Sequence, residues 1–260
     1  MNGPSGERCD RVNKPQALEM EEELLIEAFY SKLCKPESTV IDIGANTGFH
    51  TKRFLELCPK GNVYAIEANP RHIDSLKKLA SNPGLHVIEQ AVVPSNYTQG
   101  ESARFKISAA YHGRGGIAGM HIWEAIDPSI VFEEISVKSI TFDRLLEICD
   151  KCPLFIKMDI EGPEYALIYY SSFLKDIAMD RLPYMALENS VHGLAIAGIS
   201  FEQLCECLHG LGYSLLDRKG SAITSESQRR QSGQTVFLAP YQSSHESQEI
   251  LRSNYCEVYS

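Results

Sequence analysis

The sequence predicts a doubly wound α/β fold around a mostly parallel sheet, and three stretches carry that expectation. Val40-Ile41-Asp42-Ile43 is an apolar run around one acid, and strands buried on both faces of a parallel sheet read this way. The run breaks into Gly44-Ala45-Asn46-Thr47-Gly48 and resumes as a helical pattern ending near Cys58. Strand, glycine loop and helix in that order build a ligand site at the carboxyl ends of the strands. A second strand, 63–66, closes on Glu67, 23 residues beyond Gly44. Another buried strand, 154–158, delivers Asp159 to the same edge and turns at Gly162-Pro163 into a helix.

The glycine loop alone leaves two readings level: a ligand cradle, or a strand-to-helix turn that binds nothing. A dinucleotide fingerprint needs G-x-G-x-x-G, but Asn46 and Phe49 stand where its second and third glycines belong. No G-x-x-x-x-G-K-[ST] run occurs either. What remains is Asp-x-Gly-x-Asn-x-Gly. Glu67 shifts the balance, because an acid closing the second strand accepts hydrogen bonds from ribose hydroxyls in nucleotide-binding α/β folds. Asp42, Gly44, Ala45, Asn46, Gly48, Glu67 and Ala68 are therefore the first candidates for holding a nucleoside cofactor.

Length and charge narrow the classes. At 260 residues the chain suits one α/β domain with decorations. A net charge of −9 disfavours nucleic acid as a partner, because phosphate contacts need clustered Lys and Arg, and Arg229-Arg230 is too short a cluster. Residues 1–14 lack the apolar core of a signal peptide, and no apolar stretch is long enough to span a bilayer. The expectation is a cytoplasmic protein with no membrane partner, whose eight cysteines are reduced thiols. Cys149-x-x-Cys152 with Cys205 and Cys207 suggests a four-sulfur metal site, but a two-residue step on a helix points side chains to nearly opposite faces.

Along the chain, residues 16–33 read as an amphipathic helix with Leu18, Leu25, Phe29 and Leu33 in one stripe. Its acids, Glu19, Glu21, Glu22 and Glu23, read as a solvated face. Strand 39–43 and helix 48–58 follow, stopped by Pro59, Gly61 and Asn62. After Glu67, Asn69 caps the next helix, with Pro70 at its first position and Ile73, Leu76 and Ala80 on its buried side. Residues 86–92 form the third strand, whose end places Gln90 and Ala91 near an adenine. Segment 94–140 is too long for an ordinary connection and holds strand-like 104–108 and 135–142. Between them runs a glycine-rich stretch, 111–123, which reads either as a lid with His112, Arg114 and His121 facing an acceptor, or as a plain surface hairpin.

Asp159, Glu161 and Glu164 then put three carboxylates within six positions at the mouth of the site. Helix capping accounts for Glu161 and Glu164, but not for an acid on a core strand. A fifth strand, 184–187, ends in Glu188-Asn189; Ser200 and Gln203 make a capping box for helix 201–211. Strands 213–216 and 235–238 can pair antiparallel at an edge, the connection 218–234 reads as mobile, and 241–260 reads as a polar tail.

Taken together, Val40–Gly48, Glu67-Ala68-Asn69-Pro70, Ser139-Ile140-Thr141-Phe142-Asp143-Arg144-Leu145-Leu146 and Ile156-Lys157-Met158-Asp159-Ile160-Glu161-Gly162-Pro163-Glu164 resemble the motif set of FkbM-type methyltransferases. These enzymes use S-adenosylmethionine (SAM), mostly to O-methylate sugars and natural products. The match spans about residues 38–218, and Lys-x-Asp-x-Glu-Gly-x-Glu is its most distinctive part. Pro163 stands where a small residue is usual, and the long glycine-rich segment leaves the acceptor open. The resemblance implies a class I, Rossmann-like sheet of seven strands, mostly parallel, with an antiparallel edge strand, to which the helical pattern of 16–33 adds an N-terminal helix. The expected organisation is a polar segment with that helix (1–37), a methyltransferase domain (38–240, with 94–140 an acceptor-side insertion or lid) and the tail (241–260).

Methyl transfer to a hydroxyl asks the protein to align the reactants and remove the alcohol proton. Asp159, Glu161 and Glu188 are candidate bases by position, and His112, His121 and His192 by residue type; Asp159 also faces the cofactor. The expected acceptor is a hydroxyl on a sugar or small natural product. Other readings stand beside this one. Asp159, Glu188 and Asn189 resemble the oxygen ligands of catechol-type O-methyltransferases and suit magnesium, which the FkbM resemblance does not imply. A module that binds SAM or a nucleotide without turnover is another. A NAD-dependent oxidoreductase is disfavoured by Asn46 and Phe49, and nucleobase N-methylation by Lys157-Met158-Asp159-Ile160 in place of Asn/Asp-Pro-Pro-aromatic.

Overall fold

The computed structural model describes residues 14–109, 113–149 and 152–259. Among them are eleven strands in chain order: β1 (Thr39–Ile43), β2 (Asn62–Ile66), β3 (Leu85–Ile88), β4 (Ala91–Val93), β5 (Ser102–Ser108), β6 (Gly115–Ile117), β7 (Phe132–Thr141), β8 (Phe155–Met158), β9 (Tyr184–Glu188), β10 (Tyr213–Leu216) and β11 (Thr235–Pro240). Seven of these form a sheet in the order β10-β11-β9-β8-β1-β2-β3. The five strands from β9 to β3 are parallel, and β11 runs antiparallel to both of its neighbours. This is the expected doubly wound, Rossmann-like sheet. The chain moves outward from β1 to β3 and then returns to β8 on the other side, so the switch point lies between β1 and β8, where such folds bind ligands.

The central strands explain their own composition. Every residue of β1 and β8 is buried, including Asp42 and Lys157. Each charge has a partner: Asp42 Oδ2 accepts from Thr51 Oγ1 at 2.6 Å, and Lys157 Nζ donates to Asp159 Oδ2 at 3.0 Å. One face of the sheet is covered by helix Lys14–Leu33 and helix Phe49–Leu57, with Leu25, Phe29, Tyr30 and Phe54 against Phe155 and Phe237. The opposite face carries helices Phe142–Ile148, Glu164–Tyr169 and Phe201–Leu211, with Leu145, Tyr165, Leu167, Leu204 and Leu208 in its core. The caps form as expected: Asn69 accepts from Arg71 N, and Ser200 with Gln203 closes a reciprocal capping box.

A second, four-stranded sheet was not anticipated. Its order is β4-β7-β5-β6, with β4 and β7 parallel and the other pairs antiparallel. The single third strand expected over 86–92 is two strands. The chain leaves the large sheet at Glu89-Gln90, the polar pair inside the apolar run, and β4 joins β7 instead. Segment 94–140 thus supplies β5, β6 and nearly all of β7, and β7 ends at Thr141, which caps helix Phe142–Ile148.

Three other expectations change. Residues 244–259 form a helix rather than a patternless tail, because Ser247, Leu251 and Asn254 make a buried stripe toward the N-terminal helix. Segment 218–234 is pinned rather than mobile. It contains helix Glu226–Gln231, whose Arg229 is fully buried and bonds Glu226, Asn189 Oδ1 and the Ser190 carbonyl. Finally, Glu22 and Glu23 do not belong to a solvated face, because both border the central cavity. The seven described cysteines are free, Cys205 and Cys207 on one helix among them. Among the described residues no helix is long and apolar enough to cross a membrane.

Candidate active site

The carboxyl ends of β1, β2, β8 and β9 open on a cavity of 910 Å³. Its floor on the β1–β2 side is a backbone cradle. Gly44 N and Ala45 N both donate to the Ile66 carbonyl at 3.0 Å, carrying the strand pairing into the turn. Gly44 has φ +80°, and a Cβ there would stand 1.9 Å from the Asp159 carbonyl oxygen, so neither the conformation nor the space admits another residue. Asn46 is also left-handed, at φ 50°, which asparagine tolerates better than most residues. That turn aims Asn46 N at Glu67 Oε2, 2.7 Å away, while Asn69 N donates to Glu67 Oε1 at 2.7 Å. Each oxygen of the buried Glu67 carboxylate therefore has one backbone donor and room for another from a ligand.

The facing side is acidic. Burial works against the charge of Lys157, but Asp159, Asp42 and Glu23 outweigh that and hold its ammonium above the usual lysine range. Beyond Asp159 the turn is organised by Glu164, whose two oxygens accept from Ile160 N at 2.8 Å and Gly162 N at 3.0 Å. Burial pushes the Glu164 carboxyl up to about 7. Glu161 is held at φ 65°, a strained conformation for a non-glycine residue, and its N–H donates to Glu188 Oε2 at 3.0 Å. Carboxylate oxygens of Asp159, Glu161 and Glu188 lie within 4.8 Å of one another. Burial, then Asp159 and Glu164, push Glu161 well above the usual glutamate range; burial, then Glu161 and Glu164, do the same for Glu188. Such a group can hold a proton near neutral pH, and the same oxygens suit a hard cation.

Two walls close the cavity. The small sheet supplies Phe105, β6 and the segment leading to Trp123, with the Arg114 guanidinium 4.2 Å over the Trp123 ring. This wall is tied to the acids, since Ile122 N donates to the Glu161 carbonyl at 3.0 Å. The N-terminal helix supplies Glu22, Glu23 and Ile26. Glu22 accepts from Arg218 Nη1 at 2.9 Å, and Glu23 pairs with His50, whose other ring nitrogen is 3.0 Å from the Tyr30 hydroxyl. Burial opposes the Glu23 charge, but His50 and Lys157 keep its carboxyl below the usual range.

Of the residues singled out from sequence, Gly44, Asn46, Glu67, Ala68, Gln90, Ala91, Asp159, Glu161, Glu188 and Asn189 line this one cavity. Asp42, Ala45 and Gly48 are not in its lining: Asp42 bonds Thr51, Ala45 packs with Ala65 and Leu76, and Gly48 abuts Leu76 and Leu79. Gln90 donates to the Ser139 carbonyl at 3.2 Å, across the break between β3 and β4. Asn189 is fully engaged, donating to Arg229 O, Ser232 Oγ and Gly233 O and accepting from Tyr165 and Arg229; Glu161 stands beside Asp159 and Glu188 in its stead. The glycine-rich stretch is a wall rather than a free flap, being tied through β6 to β5. Arg114 faces the cavity; His121 is buried against Phe132 and His192 flanks helix Gly193–Ala197, both outside the lining, and His112 falls outside the described residues. His72, Glu22 and Glu23 border the cavity without having been singled out for it. His72 had a signal, its helical spacing of four from the buried Leu76.

The chain is similar to several known proteins. The 2-O-methyltransferase NoeI of Sinorhizobium fredii (strain NBRC 101917 / NGR234) is 26% identical over 151 residues, 53% of this chain and 59% of that protein. The chain thus spans about three fifths of the length of the curated relative it matches. Among solved structures, the plantazolicin methyltransferase BamL, in complex with a triazolic desmethylPZN analogue and SAH, superposes with TM-score 0.41 at 14% identity, over 94% of this chain and 80% of its own. Aeropyrum pernix fibrillarin with natively bound S-adenosyl-L-methionine gives TM-score 0.41 at 11% identity, over 83% and 74%. Similarity at that level adds nothing to the strand order itself. The sequence model of the methyltransferase FkbM domain matches residues 42–215, from Asp42 in β1 through the cradle and the acid turn to β10. On that match, two thirds of its length, the chain belongs to the FkbM methyltransferase domain family.

Proposed function

We propose that the chain is a SAM-dependent methyltransferase acting on a hydroxyl oxygen of a sugar or small natural product. The observation that carries this reading is the meeting, in one cavity, of Glu67 on its two backbone donors with the acids Asp159, Glu161 and Glu188. The residues fit the cofactor. Glu67 has acceptor capacity left for ribose hydroxyls, Gly44 keeps the backbone clear of side chain, and Gln90 and Ala91 border the space for adenine. When bound, SAM supplies a methyl group on a sulfonium leaving group. The protein's share is alignment and proton removal. Glu161 takes the acceptor's hydroxyl proton onto a carboxylate oxygen, and its raised proton affinity suits a base working near neutral pH. Lys157 fixes Asp159 beside it. An oxygen acceptor is further supported by the 2-O-methyltransferase name of the 26% identical relative.

Calorimetric titration with SAM and with NAD, followed by labelled-methyl transfer to a panel of saccharides and polyols, tests the reading. SAM binding with transfer to a hydroxyl is expected, and Glu161→Gln should lower turnover by about 10²–10⁴-fold with little change in SAM affinity. Binding of NAD instead of SAM overturns the proposal. SAM binding without transfer to any hydroxyl acceptor favours a non-catalytic module.

A second reading, favoured by the close oxygens of Asp159, Glu161 and Glu188, is a metal-assisted O-methyltransferase holding magnesium there. Activity lost on thorough chelation and restored by magnesium supports it. Activity indifferent to both removes it.

A further inference from the structure

Two loops grip the turn that carries Glu161. On the small-sheet side, Ile122 N donates to the Glu161 carbonyl at 3.0 Å, and Ile122 Cγ2 lies 3.3 Å from where a Cβ on Gly162 would stand. On the β9 side, Glu188 Oε2 accepts from Glu161 N, and Ile196 Cδ1 lies 2.7 Å from that same point. A Cβ on Gly193 would stand 3.5 Å from the Gly162 carbonyl oxygen. Each loop also brings one branched aliphatic residue to the cavity. Ile126 closes the helical turn Trp123–Ile126, its N–H donating to the Ile122 carbonyl at 3.1 Å, and Val191 stands two residues before Gly193. Ile126 is 49% and Val191 48% exposed. Of the eight exposed large apolar side chains among the described residues, these two alone line the cavity. An exposed aliphatic residue standing singly on a surface needs no explanation, but two at one cavity, on either side of the same carboxylate, mark apolar surface kept open for a ligand.

We propose that the acceptor is an amphipathic hydroxyl compound of the alkyl glycoside kind, whose apolar substituent lies across Ile126 and Val191 while its hydroxyl reaches Glu161. The assignment rests on the SAM reading above, with Glu161 as the base. A hydroxyl-rich sugar set against these two side chains would exchange water for groups that neither donate nor accept a hydrogen bond, which is unfavourable. An alkyl chain in that place takes its own apolar surface and theirs out of water together. The acids inside the cavity thus select for a hydroxyl, and the two aliphatic residues select for what is attached beside it.

Trp123 is the only tryptophan of the chain and lines the cavity one helical turn before Ile126, so its fluorescence reports on an occupant there. The experiment titrates n-octyl β-D-glucoside, kept below its micelle-forming concentration, and methyl β-D-glucoside into the full chain. The protein is first saturated with S-adenosylhomocysteine, whose binding is measured by calorimetry. The octyl glucoside should change the Trp123 emission saturably, with a midpoint at least about tenfold below that of the methyl glucoside. Ile126→Thr combined with Val191→Thr keeps both β-branches and should bring the two midpoints within about twofold of each other. Each single substitution should close part of the gap, which carries the comparison if the double variant does not fold. Val131→Thr changes a residue that is 77% exposed and outside the cavity lining, and should leave the gap as in wild type. Equal midpoints in wild type, no saturable response to the octyl glucoside, an unaltered gap in the cavity variants, or the same loss in Val131→Thr overturns the assignment. A protein that binds no S-adenosylhomocysteine fails at the calorimetric step, before any glucoside is added, and overturns the cofactor reading with everything that rests on it.

Discussion

Glu67 and Asp42 are both buried acids at the carboxyl side of the sheet, yet substitution should affect them differently. Glu67→Gln replaces one acceptor with an amide that faces the N–H of Asn46 or Asn69. Hydrogen bonds to charged groups are worth about 1.5–3 kcal/mol, so SAM affinity should fall roughly ten- to a hundredfold with a smaller change in melting temperature. Unchanged affinity by calorimetry removes Glu67 from the cofactor site. Asp42→Ala deprives Thr51 and Lys157 of a buried partner, and its main effect should be lost stability of about 1–3 kcal/mol in denaturant titration. Glu164 sets a pH dependence. Its folded pKa of about 7 lies above the ordinary glutamate value of about 4.3, so its contribution to stability is complete below the lower value and is lost as pH rises through the upper one. Glu161 and Glu188 are raised and act in the same sense, whereas Glu23 and Asp143 are lowered and act oppositely, losing their contribution as pH falls through the carboxylate range. The melting temperature of wild type should fall as pH rises toward 7, and more steeply than that of Glu164→Gln. Parallel slopes contradict the assignment. Glu67 could be read from sequence because strand spacing alone puts it beside the glycine loop. His72 was passed over although its spacing of four from Leu76 puts it on the buried side of its helix, because a polar residue there adds nothing to the apolar pattern.

Whole elements were legible where one hydrophobic period ran unbroken. β1 and β8 are apolar along their length, and helix Phe201–Leu211 announces both of its ends. The split between β3 and β4 was harder, since two strands belonging to different sheets follow each other with only Glu89-Gln90 between them. Helix Ser244–Tyr259 was missed because two of the three residues in its buried stripe, Ser247 and Asn254, are polar. Leu251 is the apolar centre of that stripe and packs among the residues that include Leu25 and Phe29. Leu251→Ala should therefore cost about 2–4 kcal/mol in urea unfolding, as truncation in a closed core does. A cost near zero means that the C-terminal helix is not part of the cooperative fold.

At the scale of the whole molecule, the two end helices contact each other and share one face of the sheet with helix Phe49–Leu57, while helices Phe142–Ile148, Glu164–Tyr169 and Phe201–Leu211 lie on the other. Glu22 and Glu23 of the first helix reach the cavity, so ligand binding draws on that helix as well as on the sheet. Saturation with S-adenosylhomocysteine at a hundred times its Kd should stabilise the protein by about 2.7 kcal/mol, seen as a single upward-shifted calorimetric transition. Two transitions, only one of them shifting, mean that the N-terminal helix melts apart from the site. One link has a consequence for how such a protein diversifies. The wall supplied by the small sheet and the turn that carries Glu161 share the hydrogen bond from Ile122 N to the Glu161 carbonyl, and Gly162 leaves no room for a side chain under the Met120 carbonyl. If, as proposed, that wall faces the acceptor and Glu161 takes its proton, remodelling the wall for a new acceptor also tugs on the turn that carries the base. Variants selected for a broader acceptor range will therefore tend to surrender turnover, until a second substitution in the turn restores the alignment.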